Sequence, residues 1–188
     1  IFSAFPSAPV NQTVLQTITL EHVQSALINI AAANLYSNHI WRRVLAEAYY
    51  SRGDFTAAMK FFLEYLINAT TFFSKPWGLN GVDSAYDDKM FQKIIKCCSE
   101  LGHHSQAFVF CQFLSEVDYS TAFRSIEERN SVDSMDASYK YVWDVTLLEY
   151  CVNMHTKRGE LSRKRNSLEA IGKLEVNTNN NEEILRET

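Results

Sequence analysis

Apolar side chains recur at three- and four-residue steps along most of this chain, and the clearest run is LAEAYYSRGDFTAAMKFFLEYL, residues 45–66. Ala46, Ala48, Tyr49 and Tyr50 close a first helix, Gly53 can leave it in a left-handed conformation, and Asp54 can cap the next helix. Phe55, Ala58, Met59, Phe62, Leu63 and Leu66 then make the apolar stripe of that second helix. The pattern predicts a helical hairpin.

A second hairpin follows over residues 86–114. Met90, Phe91, Ile94, Ile95 and Cys98 face inward on its first helix, Gly102 makes the turn, and Ala107, Phe108, Cys111 and Leu114 face inward on its second. Gly53 and Gly102 lie 49 residues apart, and Ala58 and Ala107 each stand five residues beyond their glycine. That separation is one repeat period of about 34 residues plus an insertion of about 15, so the two hairpins resemble tetratricopeptide (TPR) repeats. A third unit keeps Gly159 and carries Leu161, Leu168 and Ile171 over residues 160–171, but Lys164 occupies the place of the small alanine. Between these units, residues 119–128 predict a short helix with Phe123 and Ile126 inward. The capping-rich stretch 130–136 then predicts the start of one long helix, with Met135, Tyr139, Val142, Trp143, Thr146, Leu147, Tyr150, Cys151 and Met154 as its apolar stripe. The expected fold is all-α, with TPR-like antiparallel hairpins stacked as a short α-solenoid.

The boundaries follow from where periodicity fails. Residues 1–10, with Pro6 and Pro9, read as an irregular lead-in, and residues 11–172 as the helical repeat domain. Residues 173–188 are Asn-rich and polar, which suggests a loosely ordered tail. A first helix over 11–35 is only loosely periodic, through Val14, Leu15, Ile18, Val23, Leu27, Ile30 and Ala31, and its β-branched residues near Thr19 suggest a break. The domain is interrupted at about 70–85 by a segment with Pro76, Gly78 and Gly81. Phe72, Phe73 and Trp77 in that loop are candidate protein-contact residues, with folding back onto a helix pair as the competing reading.

Composition supports this picture and narrows the function. Aromatic residues at 13% and hydrophobic residues at 46% argue for a packed core, while six Gly and three Pro leave little punctuation for a many-turned β protein. A net charge of -4 gives no overall field for nucleic acid. Cys97, Cys98, Cys111 and Cys151 include no CxxC pair and favour a reducing compartment. Two matches to the glycosylation sequon, at Asn11 and Asn68, are short enough to arise by chance. Residues 23–41 lack formal charge but carry Gln24, Ser25, Asn29, Asn34, Ser37, Asn38 and His39, a poor membrane span. A soluble piece of a longer protein is the expectation.

Candidate chemistry is sparse. Cys97, Cys98, His103, His104 and Cys111 flank one turn, yet their spacing matches no usual zinc site and the thiols fall at core positions, so buried thiols are the default and no cofactor is expected. His22, His39 and His155 stand apart in sequence. Asp87-Asp88 and Glu127-Glu128 are adjacent, so on a helix their side chains diverge by about 100° rather than face a common substrate. No GxSxG, HExxH or phosphate-cradling loop is present. Lys157, Arg158, Arg163, Lys164 and Arg165 form the one dense basic group. It reads first as a solvated helix-end face, next as a contact for a protein partner, and last as a nucleic-acid contact, since aromatic interleaving is missing.

The stretch NSVDSMDASYKYVWDVTLLEYCVNMHTKRGE, residues 130–160, together with AIGKLEVNTNNNEEIL, SQAFVFCQFL and AEAYYSRGDFTAAM, resembles the C-terminal region of the Integrator complex subunit 8 family. The resemblance implies a nuclear, non-enzymatic scaffold in the module that brings protein phosphatase 2A to RNA polymerase II, acting in small nuclear RNA processing and transcription termination or attenuation. It implies other Integrator subunits as partners, with the phosphatase-contacting segment outside this chain, and it carries over no catalytic residue. The competing function is a freestanding TPR module binding peptide ligands such as chaperone tails. Such a carboxylate clamp needs Lys and Asn on its first helix, where the register with Gly53 places Arg43 and Glu47, and an acidic Glu47 would repel a C-terminal carboxylate.

Overall fold

In the computed structural model, which describes residues 12–34, 40–70 and 87–179, every regular element among the described residues is helical. The chain divides into two units, residues 1–74 and 75–188.

The first unit contains α1 (Gln12–Ala33), α2 (Ile40–Ser51) and α3 (Phe55–Ala69). Its hairpin forms as the local sequence dictates. Gly53 leaves α2 at φ 76°, and the Asp54 carboxylate accepts the Ala57 backbone N–H at 3.0 Å to cap α3. Leu45 and Ala46 on α2 meet Ala58, Phe62 and Leu66 on α3, all 2% exposed or less. Burying a side chain such as Leu45, Phe62 or Leu66 is worth about 1.5–3 kcal/mol, and Ala58, with no exposed surface, lets the two backbones approach. The first helix is unbroken at Thr19, where the run Thr17-Ile18-Thr19 suggests a break. Its inward stripe differs from expectation. Ala31 is buried, whereas Val23, Leu27 and Ile30 are exposed.

The second unit repeats the design. It contains α4 (Asp88–Glu100), α5 (His104–Phe110) with a 3-10 turn (Cys111–Phe113), α6 (Tyr119–Glu127), 3-10 turns at Met135–Ala137 and Tyr139–Tyr141, α7 (Val145–Arg158) and α8 (Leu161–Asn179). Successive helices pack side by side, α4 on α5, α5 on α6, α6 on α7 and α7 on α8. Gly102 and Gly159 turn the chain at φ 75° and 70°, so all three glycines read as turns are left-handed. Met90, Phe91, Ile94, Cys97 and Cys98 on α4 close over Ala107, Phe108 and Cys111. The Asp87-Asp88 pair is structural: Asp87 caps α4 by accepting the Met90 N–H at 2.6 Å, and Asp88 accepts the N–H of Ser115, 27 residues on, at 3.0 Å.

The long helix expected from residue 130 onward is not formed. Met135, Tyr139 and Val142 are buried as the stripe requires, but they sit on short turns and an extended segment, and Trp143 is 50% exposed. Asp144 is the reason for the break. Its carboxylate caps α7 by accepting the Leu147 N–H at 2.9 Å, which starts a new helix in mid-stripe. A buried side chain satisfies the backbone groups that this break frees. The Gln112 amide donates to the Tyr141 carbonyl at 2.9 Å and accepts the Trp143 and Asp144 N–H groups at 2.9 and 3.3 Å.

The capping residues of 130–136 also act elsewhere than expected. Asp133 accepts the Ser105 and Gln106 N–H groups at 3.0 and 2.8 Å, and Ser131 accepts that of His104 at 3.1 Å. They cap α5 from 27 or 28 residues away, because His103 at its N-cap makes no side-chain bond. In α8 the inward stripe is also displaced. Leu161 and Leu168 are 76% and 48% exposed, while Ser167 and Ala170 are buried. With Lys164 at the alanine register, the small residues that permit close packing fall three and six positions later. α8 continues past residue 172 to Asn179.

Candidate functional site

Of the candidate contact residues, Phe72, Phe73 and Trp77 lie outside the described residues, as do most of the loop at 70–85, the lead-in 1–10 and residues 180–188. The basic group is described in full and divides into different roles. Arg163 makes a paired bond to Asp136, Nε to Oδ1 at 2.9 Å and Nη2 to Oδ2 at 3.2 Å, which fastens α8 to the 3-10 turn at Met135–Ala137. Arg158 donates to the Glu127 carbonyl at 2.9 Å and closes the C-terminal end of α6 against α7. Lys157, Arg158 and Arg163 line an open groove of about 550 Å³ that also contains Glu128, Asp133 and Glu160, so its charge is mixed. Lys164 and Arg165 stand on α8 outside that groove, and the five cations do not converge on one spot.

His155 does not stand alone. It is 2% exposed, with Nε2 at 2.7 Å from the Tyr139 hydroxyl and Nδ1 at 2.6 Å from Glu160 Oε2. A carboxylate only accepts, so Nδ1 carries the proton and donates to Glu160, leaving Nε2 to accept from Tyr139. Burial holds the imidazole below its usual pKa, with the Glu160 hydrogen bond opposing, and burial also pushes the Tyr139 phenol up. The relay joins the 3-10 turn Tyr139–Tyr141, the end of α7 and the start of α8, with Tyr139 and His155 buried and Glu160 part-exposed at the edge of the groove described above. Sequence spacing hides it, because Tyr139 and His155 are 16 residues apart.

The four cysteines are buried at 1% exposure or less, and burial pushes Cys97 up to about 11 and Cys98, Cys111 and Cys151 to about 12. Such thiols stay protonated at neutral pH and act as small apolar side chains. Among the described residues no three His, Cys, Asp or Glu side chains are grouped to hold a metal ion, and no helix is long and apolar enough to cross a membrane.

The surface the sequence pattern did not single out is an apolar groove of about 610 Å³ where α5, the segment 138–143 and α8 meet. Phe110, Phe113 and Val142 line it, and Tyr141 and Trp143 stand 59% and 50% exposed on it. Phe113 and Trp143 pack edge to face with ring centroids 4.6 Å apart. Lys140 lies over the Tyr141 ring at 4.9 Å. Asp144 was the available signal: read as a helix cap, it moves Tyr141 and Trp143 off the helix stripe and into a connection.

Glycine-turned antiparallel hairpins with alanines at equivalent crossings define an α-helical repeat protein of the TPR class. Residues 2–188 match the family described as INTS8, TPR repeats, and the chain belongs to that family. It is 37% identical over 187 residues to Integrator complex subunit 8 of Homo sapiens, covering 98% of this chain and 18% of that protein. Against the Xenopus laevis protein of the same name it is 35% identical over 184 residues, again covering 98% of this chain and 18% of the relative. An Integrator complex subunit 8-like protein of Dictyostelium discoideum is 24% identical over 153 residues, 80% of this chain and 76% of that protein. The chain thus spans about 18% of the length of the animal relatives.

Proposed function

We propose that this chain is a non-enzymatic scaffold segment of the nuclear Integrator complex, whose work is to bury helical-repeat surface against other subunits. The observation that carries the reading is the 37% identity to an Integrator subunit over 98% of the chain, on a fold of paired helices that offers grooves and helix faces as contact surface. Within the complex the segment belongs to the phosphatase-associated module and serves small nuclear RNA processing and termination or attenuation by RNA polymerase II. Its direct partners are other Integrator subunits, with protein phosphatase 2A reached through the complex rather than by this segment, and direct nucleic-acid contact is not part of the reading. A peptide clamp for chaperone tails is disfavoured by Glu47 at a clamp position and by Arg43, whose guanidinium lies over the Tyr65 ring at 5.8 Å.

Affinity purification of the intact protein from nuclear extract, with identification of its partners, tests the proposal. Recovery of Integrator subunits is the expected result. Recovery of chaperones alone would overturn it.

A further inference from the structure

The connection 114–118 joins the 3-10 turn Cys111–Phe113 to α6 and reads Leu114-Ser115-Glu116-Val117-Asp118. Leu114, 8% exposed, anchors its start, and Asp118 anchors its end by accepting the Thr121 N–H at 3.0 Å as the N-cap of α6. Between these anchors Ser115 and Glu116 are exposed on backbone that belongs to no helix. A hydroxyl on exposed, non-helical chain is open to an enzyme cleft that must reach both it and its neighbours in sequence.

Those neighbours are acidic. Glu116 stands one residue after Ser115 and Asp118 three residues after it, and of the serines in the sequence only Ser115 has acids at both positions. Ser125 is followed by Glu127 and Glu128, but it is 5% exposed on α6. Ser51 has Asp54 three residues on, but it ends α2 with its hydroxyl donated to the Glu47 carbonyl at 2.8 Å. Carboxylates framing an exposed hydroxyl are complementary to a kinase whose peptide cleft is lined by Lys and Arg.

The same serine forms a clasp. Its N–H donates to Asp88 Oδ1 at 3.0 Å and its hydroxyl donates to Asp88 Oδ2, so one carboxylate in the first turn of α4 takes both donors of Ser115. These bonds hold the Asp88 carboxyl below its usual pKa and keep it ionised. A phosphate on Oγ removes the hydroxyl donor and sets a charge of about −2 against Asp88.

We infer that Ser115 is a phosphorylation site for an acid-directed serine/threonine kinase, and that the phosphate releases the connection 114–118 from the first turn of α4. In the transfer, Ser115 Oγ forms a bond to the γ-phosphorus of ATP and the bond from that phosphorus to its bridging oxygen breaks. ADP leaves, and the hydroxyl proton passes to the catalytic aspartate of the kinase. This site stands apart from the scaffold reading, since it needs no partner subunit.

The test incubates the intact protein with ATP, Mg2+ and a purified kinase selective for acids one and three residues after serine, and maps the phosphate by mass spectrometry. Phosphate on Ser115 of the folded protein is the expected result. Glu116→Gln combined with Asp118→Asn, which leaves a side chain able to cap α6, should slow the transfer about tenfold. Hydrogen exchange then reads the clasp. Phosphorylation should speed exchange over residues 87–91 and 114–118 about tenfold, and Asp88→Ala should do the same without phosphate. Absence of phosphate from Ser115, its arrival only after unfolding in urea, or an unchanged rate in the double variant overturns the site. Full transfer with unchanged exchange over both stretches overturns the release.

Discussion

Ala58 and Ala107 show how single residues set this fold. Each has no exposed surface and stands five residues beyond a left-handed glycine, where a facing helix approaches closely. Ala58→Phe or Ala107→Phe is expected to destabilise the chain by about 1–3 kcal/mol through overpacking, read as a lower urea midpoint with an unchanged slope. A silent substitution would place the alanine on the surface. His155 gives a pH-dependent counterpart. Its pKa in the fold lies below the unfolded value of about 6.5, so the neutral form is the one the fold stabilises. Its contribution is complete above pH ~6.5 and is lost as pH falls from there through the folded value. The carboxylates with lowered values, Asp133 and Asp136, are lost only at lower pH, below about 3.8. Between about pH 7.5 and pH 5.5, wild type should therefore lose more stability than His155→Gln, and equal losses would contradict the relay as described.

The elements were legible in the sequence wherever one local rule governed them. Gly53-Asp54 states its own turn and cap, and the α4 stripe states its own inward face. Legibility failed where long-range bonds decide the structure. Asp133 reads locally as the start of the next helix, but its carboxylate caps α5, and nothing in the spacing reveals a bond spanning 28 residues. Gln112, an ordinary polar residue in the sequence, holds the connection that ends one apolar stripe and exposes Trp143. The candidate surface at Tyr141 and Trp143 was therefore invisible to periodicity, and the basic group that periodicity did mark turns out to include two structural clasps, Arg158 and Arg163. Asp133→Ala should cost about 1–2 kcal/mol by removing the cap of α5. Gly102→Ala should also destabilise, since its Cβ would sit in a left-handed backbone 3.1 Å from Val132 Cγ2. Thermal or urea unfolding of both variants checks this, and wild-type midpoints would refute the account of the α4–α5 turn.

At the scale of the whole molecule, the family match runs over residues 2–188, the regular hairpins and the irregular connection alike. The hairpins establish the helical repeat, and the stretch 130–160, with its two 3-10 turns and its caps, contributes the exposed aromatics of the apolar groove. In the scaffold reading proposed above, function is a matter of which surfaces meet which neighbours. The most direct measurement is lysine-reactive crosslinking of the intact protein purified from nuclear extract, with mass spectrometry of the linked peptides. The account predicts that Lys140, Lys157, Lys164 and Lys173 link to other Integrator subunits. If these four lysines link only within their own chain while lysines elsewhere in the full-length protein reach the other subunits, this segment is not a contact surface and the central claim is wrong.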